Sequence, residues 1–168
     1  VNFHDVWSLT IRKVDQTAQD LTIAGAWFAL YSPNENDRLD YDSFPGDKPT
    51  NKPAETIEQD GKTWHLAQVA QTGNVESERG SLTWNGLRRE TYLYREIQAP
   101  KGYLLDETIR TITKTGYPQT VTVTNEGVGY ELPQTGGPGV APFLLSGGLL
   151  FGGAAFALLR RRKRKGAA

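Results

Sequence analysis

The 168-residue chain contains neither cysteine nor methionine, and only two histidines, His4 and His65. Without cysteine there is no disulfide framework, thiol nucleophile or cysteine-based metal site, so an extracellular protein of this sequence needs some other covalent staple. The histidines are 61 positions apart and lack partners at any recognised metal-ligand or acid-base spacing. No cofactor is expected. The acidic run DRLDYDSFPGD at 37–47 lacks the register and closing glutamate of an EF-hand loop, so no metal is expected there. No charged and apolar leader opens the chain at Val1, which reads as the C-terminal part of a longer precursor, with 1–5 a remnant of its upstream region.

Net charge is also lacking: 19 Lys plus Arg balance 19 Asp plus Glu. The balance hides a segregation. Six bases form the run RRRKRK at 160–165 and every acid lies at or before Glu131, so residues 1–135 hold 13 bases against 19 acids, a net of −6. A nucleic-acid binder concentrates positive charge on its folded part. This distribution is the reverse, and nucleic acid is excluded as a partner.

Long apolar runs are absent except for one. Residues 140–159, VAPFLLSGGLLFGGAAFALL, carry no charge, and about 20 apolar residues at 1.5 Å each cross a hydrocarbon layer roughly 30 Å thick. A transmembrane helix is expected over 139–159, with 160–168 as a basic cytoplasmic tail. The acidic part then lies outside the cell.

Upstream of that span no helical period is present. Runs rich in Val, Thr, Tyr, Trp and Leu, broken by Gly, Pro, Asn and Asp, predict strands over 6–14, 26–31, 63–70, 81–84, 91–97, 108–113 and 119–125. Short strands at this density predict an all-β, Ig-like or prealbumin-like β-sandwich over 6–127. Trp7, Trp27, Trp64 and Trp84 are expected in its core. The segment 32–62 reads as too polar and proline-rich to pack, a surface excursion that is either a tolerated insertion or a binding loop for a host protein or glycan.

Strand parity then singles out three polar residues. In the first strand Trp7, Leu9 and Ile11 lead to Lys13; in the last, Val121 and Val123 lead to Asn125. Tyr92 and Tyr94 lead to Glu96, although Leu93 and Ile97 make the opposite face apolar too. Burial drives lysine toward its neutral amine and glutamate toward its protonated form. Such a pair beside a carboxamide can form an amide with loss of ammonia, or can remain a buried ion pair with Asn125 bonded beside it. Parity leaves both open.

The segment YLYREIQAPKGY at 92–103 resembles the motif of Cna B-type domains, the SpaA-like pilin domains of Gram-positive surface proteins, in which a Tyr-rich strand ends in Glu and continues as Ala-Pro-x-Gly-Tyr. LTIRKVD at 9–15, IAGAWFALY at 23–31 and VTVTNE at 121–126 are similar to that family's first, second and last strands. The resemblance covers about 6–127. It implies an autocatalytic isopeptide bond between Lys13 and Asn125 with Glu96 as catalytic proton shuttle, and makes Pro100 and Gly102 turn residues.

Within the linker at 128–138, Leu132-Pro133-Gln134-Thr135-Gly136 precedes the apolar span and basic tail, an order that resembles the LPxTG cell-wall sorting signal. It implies a sortase partner, cleavage between Thr135 and Gly136, and transfer of Thr135 to a peptidoglycan cross-bridge or a pilin lysine. The Tyr-Pro-Lys acceptor setting of backbone pilins is replaced here by Tyr117-Pro118-Gln119. The expected function is a non-enzymatic stalk module of a wall-anchored surface protein or pilus subunit, the alternative an adhesin module using the 32–62 segment.

Overall fold

A computed structural model describes residues 6–129. They form eight strands: β1 Trp7–Asp15, β2 Trp27–Ser32, β3 Thr56–Gln59, β4 Lys62–Gln71, β5 Ser81–Leu87, β6 Thr91–Gln98, β7 Arg110–Thr113 and β8 Gln119–Asn125. All seven expected strands are present, two with notable differences. β5 runs on to Leu87, where a register shift between Trp7 and Leu9 accommodates Gly86 at φ +68°. β7 starts two residues late because Thr108 donates its N–H to the Asp106 side chain instead of to a ladder. Helical structure among the described residues is confined to 3-10 turns, and none of it is long and apolar enough to cross a membrane. The expected sorting motif, transmembrane helix and basic tail lie outside the described residues.

Two sheets face each other, one ordered β5-β1-β8 and the other β3-β4-β2-β6-β7. β1 is the hub of the smaller sheet, antiparallel to β5 and parallel to β8. Its burial alternates from Trp7 through Leu9, Ile11 and Lys13, the period of two expected for a strand with one covered face. Between the sheets, Leu9, Ile11, Phe28, Leu30, Trp84 and Tyr94 pack as one cluster. Burying a side chain of this kind stabilises the fold by about 1.5–3 kcal/mol.

The larger sheet is covered on its outer face as well. Trp27, Tyr31, Trp64, Leu66, Leu93 and Ile97 form a second cluster there, which is why every residue of β2 is buried. Part of the cover is the 32–62 segment, and the expectation that it would not pack is corrected. Tyr41 is only 7% exposed, Pro49 and Pro53 are buried, and residues 56–59 are the edge strand β3. A few apolar anchors suffice because the polar residues around them are partnered. Lys48 and Lys52 lie over the Tyr41 ring at 5.3 and 5.6 Å, Tyr31 donates to the Ala54 carbonyl at 3.1 Å, and the Thr50 N–H donates to Gln98 at 2.6 Å.

One glycine fixes the surroundings of Lys13. The Lys13 N–H donates to the Gly80 carbonyl at 2.7 Å. Gly80 has φ +69°, and a Cβ there would stand 2.6 Å from the Thr22 Cβ and 2.7 Å from the Ile23 nitrogen. Neither the conformation nor the space suits another residue. Gly80→Ala is therefore expected to lower stability by about 2 kcal/mol or more, read as a fall in the denaturant midpoint at unchanged slope; an unchanged midpoint would refute the packing argument.

Candidate functional site

The three polar residues singled out by parity meet between the sheets. Lys13 is 0% exposed, Glu96 1% and Asn125 2%. In the parallel β1–β8 ladder Lys13 is level with Val123 and Asp15 with Asn125. The lysine stem thus runs two residues along the strand to bring its amine to the carboxamide. Glu96 comes from β6 in the facing sheet, level with Phe28 of β2, whose ring lies 5.5 Å from Lys13 Nζ.

Lys13 Nζ donates to Asn125 Oδ1 and, at 3.2 Å, to the Thr124 carbonyl. It stands 3.4 Å from Glu96 Oε1. Asn125 Nδ2 donates to Glu96 Oε1 at 2.9 Å and to Oε2 at 3.0 Å. From outside the trio, the Asp106 N–H donates to Oε2 at 3.0 Å. The carboxamide therefore turns its nitrogen to the glutamate and its oxygen to the lysine. A charged carboxylate only accepts and an ammonium only donates, so this is the arrangement the ionised pair selects.

Burial lowers the pKa of Lys13, against the pull of the Glu96 charge. Burial likewise raises that of Glu96, against the Asp106 N–H, the Lys13 charge and the Asn125 amide. The two shifts bring the groups toward exchanging a proton, which turns an ion pair into a neutral amine and a neutral acid. An amine, a carboxamide and a proton carrier in mutual contact are the reactants for an amide exchange that liberates ammonia.

The Ala-Pro-Lys-Gly-Tyr segment after β6 grips the end of β8. Tyr103 N–H donates to the Pro100 carbonyl at 3.1 Å across a turn in which Gly102 takes φ +88°. Leu104 N–H then donates to Glu126 and Val128 N–H to Gly102, each at 2.9 Å. Asp15, the last residue of β1, accepts the Tyr103 hydroxyl at 3.0 Å and also the Thr17 N–H and hydroxyl and the Ala18 N–H. Gln16 N–H closes the ring on the Asn125 carbonyl at 2.9 Å. Both ends of the Lys13–Asn125 pairing are thereby held.

Asp15, Tyr103 as an anchor, Asp106 and Arg110 were invisible to parity because their roles sit in turns or at strand ends. The one available signal was the Asp-x-Thr pattern at Asp15 and again at Asp106, typical of side chains that cap their own backbone. Among the other residues considered, His65 is half-buried on β4, and all four tryptophans are buried. Asp37, Asp40 and Asp42 of the 37–47 run are engaged by Arg89, Ser43 and Lys52 respectively.

A β-sandwich whose first and last strands pair in parallel over a buried lysine, glutamate and asparagine defines a prealbumin-like module. Comparison with family profiles matches residues 7–127 to SpaA, the prealbumin-like fold domain, and the chain belongs to that family. Among solved structures it is similar to the full-length major pilin SpaD from Corynebacterium diphtheriae, with a TM-score of 0.50, 17% identity and coverage of 76% of this chain and 31% of that one. It is also similar to the Bacillus anthracis TIE protein (TM-score 0.48, 26% identity, 74% and 17% covered). The group B streptococcus pilus 2b backbone protein matches comparably (TM-score 0.47, 22% identity, 76% and 43% covered). The chain spans less than half the length of each. No curated protein sequence matches it.

The Asp15 carboxyl, held down to about 2 by its bonds from Thr17 and Ala18, gives an acid signature. A carboxyl lowered on folding adds stability that is complete above its ordinary value of 3.8 and lost as pH falls toward 2. Melting temperature should drop between pH 4 and 2, and Asp15→Asn should flatten that drop; an identical slope in the variant would contradict the assignment.

Proposed function

We propose that this domain is a structural stalk module of a cell-wall-anchored surface protein or pilus subunit, stapled by an isopeptide bond that it forms itself between Lys13 and Asn125. The observation that carries the reading is the burial of Lys13 and Asn125, from the first and last strands, in one contact with Glu96 of the facing sheet. Lys13 passes a proton to Glu96. The neutral Nζ attacks the Asn125 Cγ, and the resulting tetrahedral centre loses a proton from Nζ while Nδ2 gains one, with Glu96 relaying protons between them. The Cγ–Nδ2 bond breaks, ammonia leaves, and Glu96 ends protonated. Glu96 stands at the leaving nitrogen as well as beside the nucleophile, as such a relay requires. Fixed contact among the groups supplies the effective concentration.

Lys13 and Asn125 are 112 positions apart. By analogy with a disulfide, closing a loop of that size removes about 4–5 kcal/mol of unfolded-chain entropy. Reductants cannot open an amide. Tension entering at the start of β1 and leaving at the end of β8 would pass along β1 to Lys13 and across to Asn125, bypassing the strands between.

Anchoring belongs to the same proposal. Sortase would cleave between Thr135 and Gly136 of the segment Leu132-Pro133-Gln134-Thr135-Gly136 and join Thr135 to a peptidoglycan cross-bridge or a pilin lysine. Pro133 favours the extended form such an enzyme would bind. The mature product is extracellular and acidic. Among relatives, major pilin and pilus backbone domains share the fold, which supports the surface setting. The adhesin alternative gains nothing from the 32–62 segment, whose anchors are used in covering the sheet.

Intact mass of the folded chain should be about 17 Da below the sequence mass from the lost ammonia, and the deficit should vanish in Lys13→Ala, Asn125→Ala and Glu96→Ala. A native chain at full mass would sink the covalent reading. The rate of the mass change should be bell-shaped in pH. Below the optimum Lys13 and Glu96 both hold protons and the amine is not nucleophilic; above it Glu96 has no proton for the leaving nitrogen. Since burial raises Glu96 from 4.5 and lowers Lys13 from 10.5, the plateau should lie inside that interval. A rate that keeps rising past pH 10.5 would rule out Glu96 as the acid.

A further inference from the structure

We infer that Asp106 is a positioning residue for the crosslink, its main-chain N–H fixing which oxygen of Glu96 carries the proton; this rests on the isopeptide reading above. The two oxygens of Glu96 have different surroundings. Oε1 is the one near the nucleophile, 3.4 Å from Lys13 Nζ, and it also accepts Asn125 Nδ2 at 2.9 Å. Oε2 accepts Asn125 Nδ2 at 3.0 Å and, in addition, the Asp106 N–H at 3.0 Å. An oxygen that accepts an N–H is worth more as a carbonyl-type acceptor than as a hydroxyl. The proton taken from Lys13 is therefore directed to Oε1, the oxygen that faces both the attacking amine and the departing nitrogen.

The N–H can do this only if the segment between β6 and β7 is held still, and the Asp106 side chain holds it. Its Oδ1 accepts the Thr108 N–H at 3.0 Å, and its Oδ2 accepts from Arg110 Nη2. Arg110 Nη1 donates in turn to the Thr108 carbonyl at 3.1 Å. Arg110 lies on β7 level with Tyr94 of β6, two residues from Glu96. The loop is thus tied to the strand adjoining the one that carries the proton shuttle. Burial works to raise the Asp106 carboxyl, but these bonds outweigh it and hold it near 2, so the tie persists throughout the range in which Lys13 and Glu96 exchange protons. The same loop borders a surface recess lined by Leu104, Leu105, Asp106, Thr124 and Asn125.

The test follows the mass deficit in time as the uncrosslinked full chain, recovered in urea, is diluted into detergent-containing refolding buffer. Asp106→Ala should slow the change by on the order of ten- to a hundredfold, the scale expected for a misplaced proton carrier. Asp106→Asn keeps the oxygen that accepts the Thr108 N–H and should recover most of the rate. In the non-reacting Lys13→Ala background, the melting temperature of each Asp106 variant gives its cost in general stability, and the slowing in Asp106→Ala should exceed what that cost accounts for. Wild-type speed in Asp106→Ala would overturn the inference while leaving the crosslink standing, and so would a slowing that Asn does not relieve and that tracks melting temperature. A wild-type chain that never loses ammonia would overturn the crosslink itself, and with it this role.

Discussion

The parallel pairing of β1 with β8 is the constraint on which the rest of the arrangement depends. Parallel neighbours in a sheet must be connected by a long crossover, and here the crossover is the rest of the domain. The pairing brings the two ends of the folded region side by side and aligns Asp15 with Asn125. Lys13, two residues earlier on the same face, then reaches the carboxamide along the strand instead of across it. An antiparallel pairing would put the end of β8 beside the start of β1, and the two groups would be separated by the length of the strand. Each surrounding device serves this register: Gly80 accepts the Lys13 N–H, Asp15 ends β1, and the Pro100–Tyr103 turn grips the residues after Asn125.

The larger sheet solves a different problem. Glu96 must sit in a dry interior, yet β6 is one strand from the edge of its sheet. An outer layer makes this workable. With Tyr41, Leu93 and Ile97 packed on the far side, β6 has apolar cover behind it as well as in front, which adds to the desolvation that shifts Glu96. The 32–62 segment accordingly acts as a second wall of the site at one remove.

This layering also explains what the sequence disclosed and what it withheld. Lys13 and Asn125 were legible because β1 and the end of β8 each have one covered and one open face, so parity carries information. Glu96 was ambiguous for the opposite reason: with both faces of β6 covered, Leu93 and Ile97 are as apolar as Tyr92 and Tyr94. The packing of 32–62 was hidden because its few anchors, Tyr41, Pro49 and Pro53, are diluted among charges whose partners are distant in sequence. Asp106 was hidden more completely. It contributes through a main-chain N–H, which any residue but proline possesses, and only its three-dimensional ties distinguish that N–H from the others.

Electrostatics supplies a reason why the trio would undergo the proposed reaction and not simply persist. As an ion pair, Lys13 and Glu96 keep two opposite charges where solvation is lost, and attraction offsets that penalty only if every remaining donor and acceptor is satisfied. The surroundings go far toward that: Thr124 and Asn125 take up the ammonium, and Asn125 and Asp106 the carboxylate. Proton transfer within the pair removes both charges but leaves an amine and an acid that still need partners. The proposed amide removes the problem altogether, because the lysine nitrogen becomes a neutral donor within a covalent link, Glu96 remains as a neutral acid able to bond it, and the ammonia carries its requirements into water. Burial thus opposes the ion pair and favours the proposed amide, and the same desolvation that perturbs the two groups would drive the bond proposed between them.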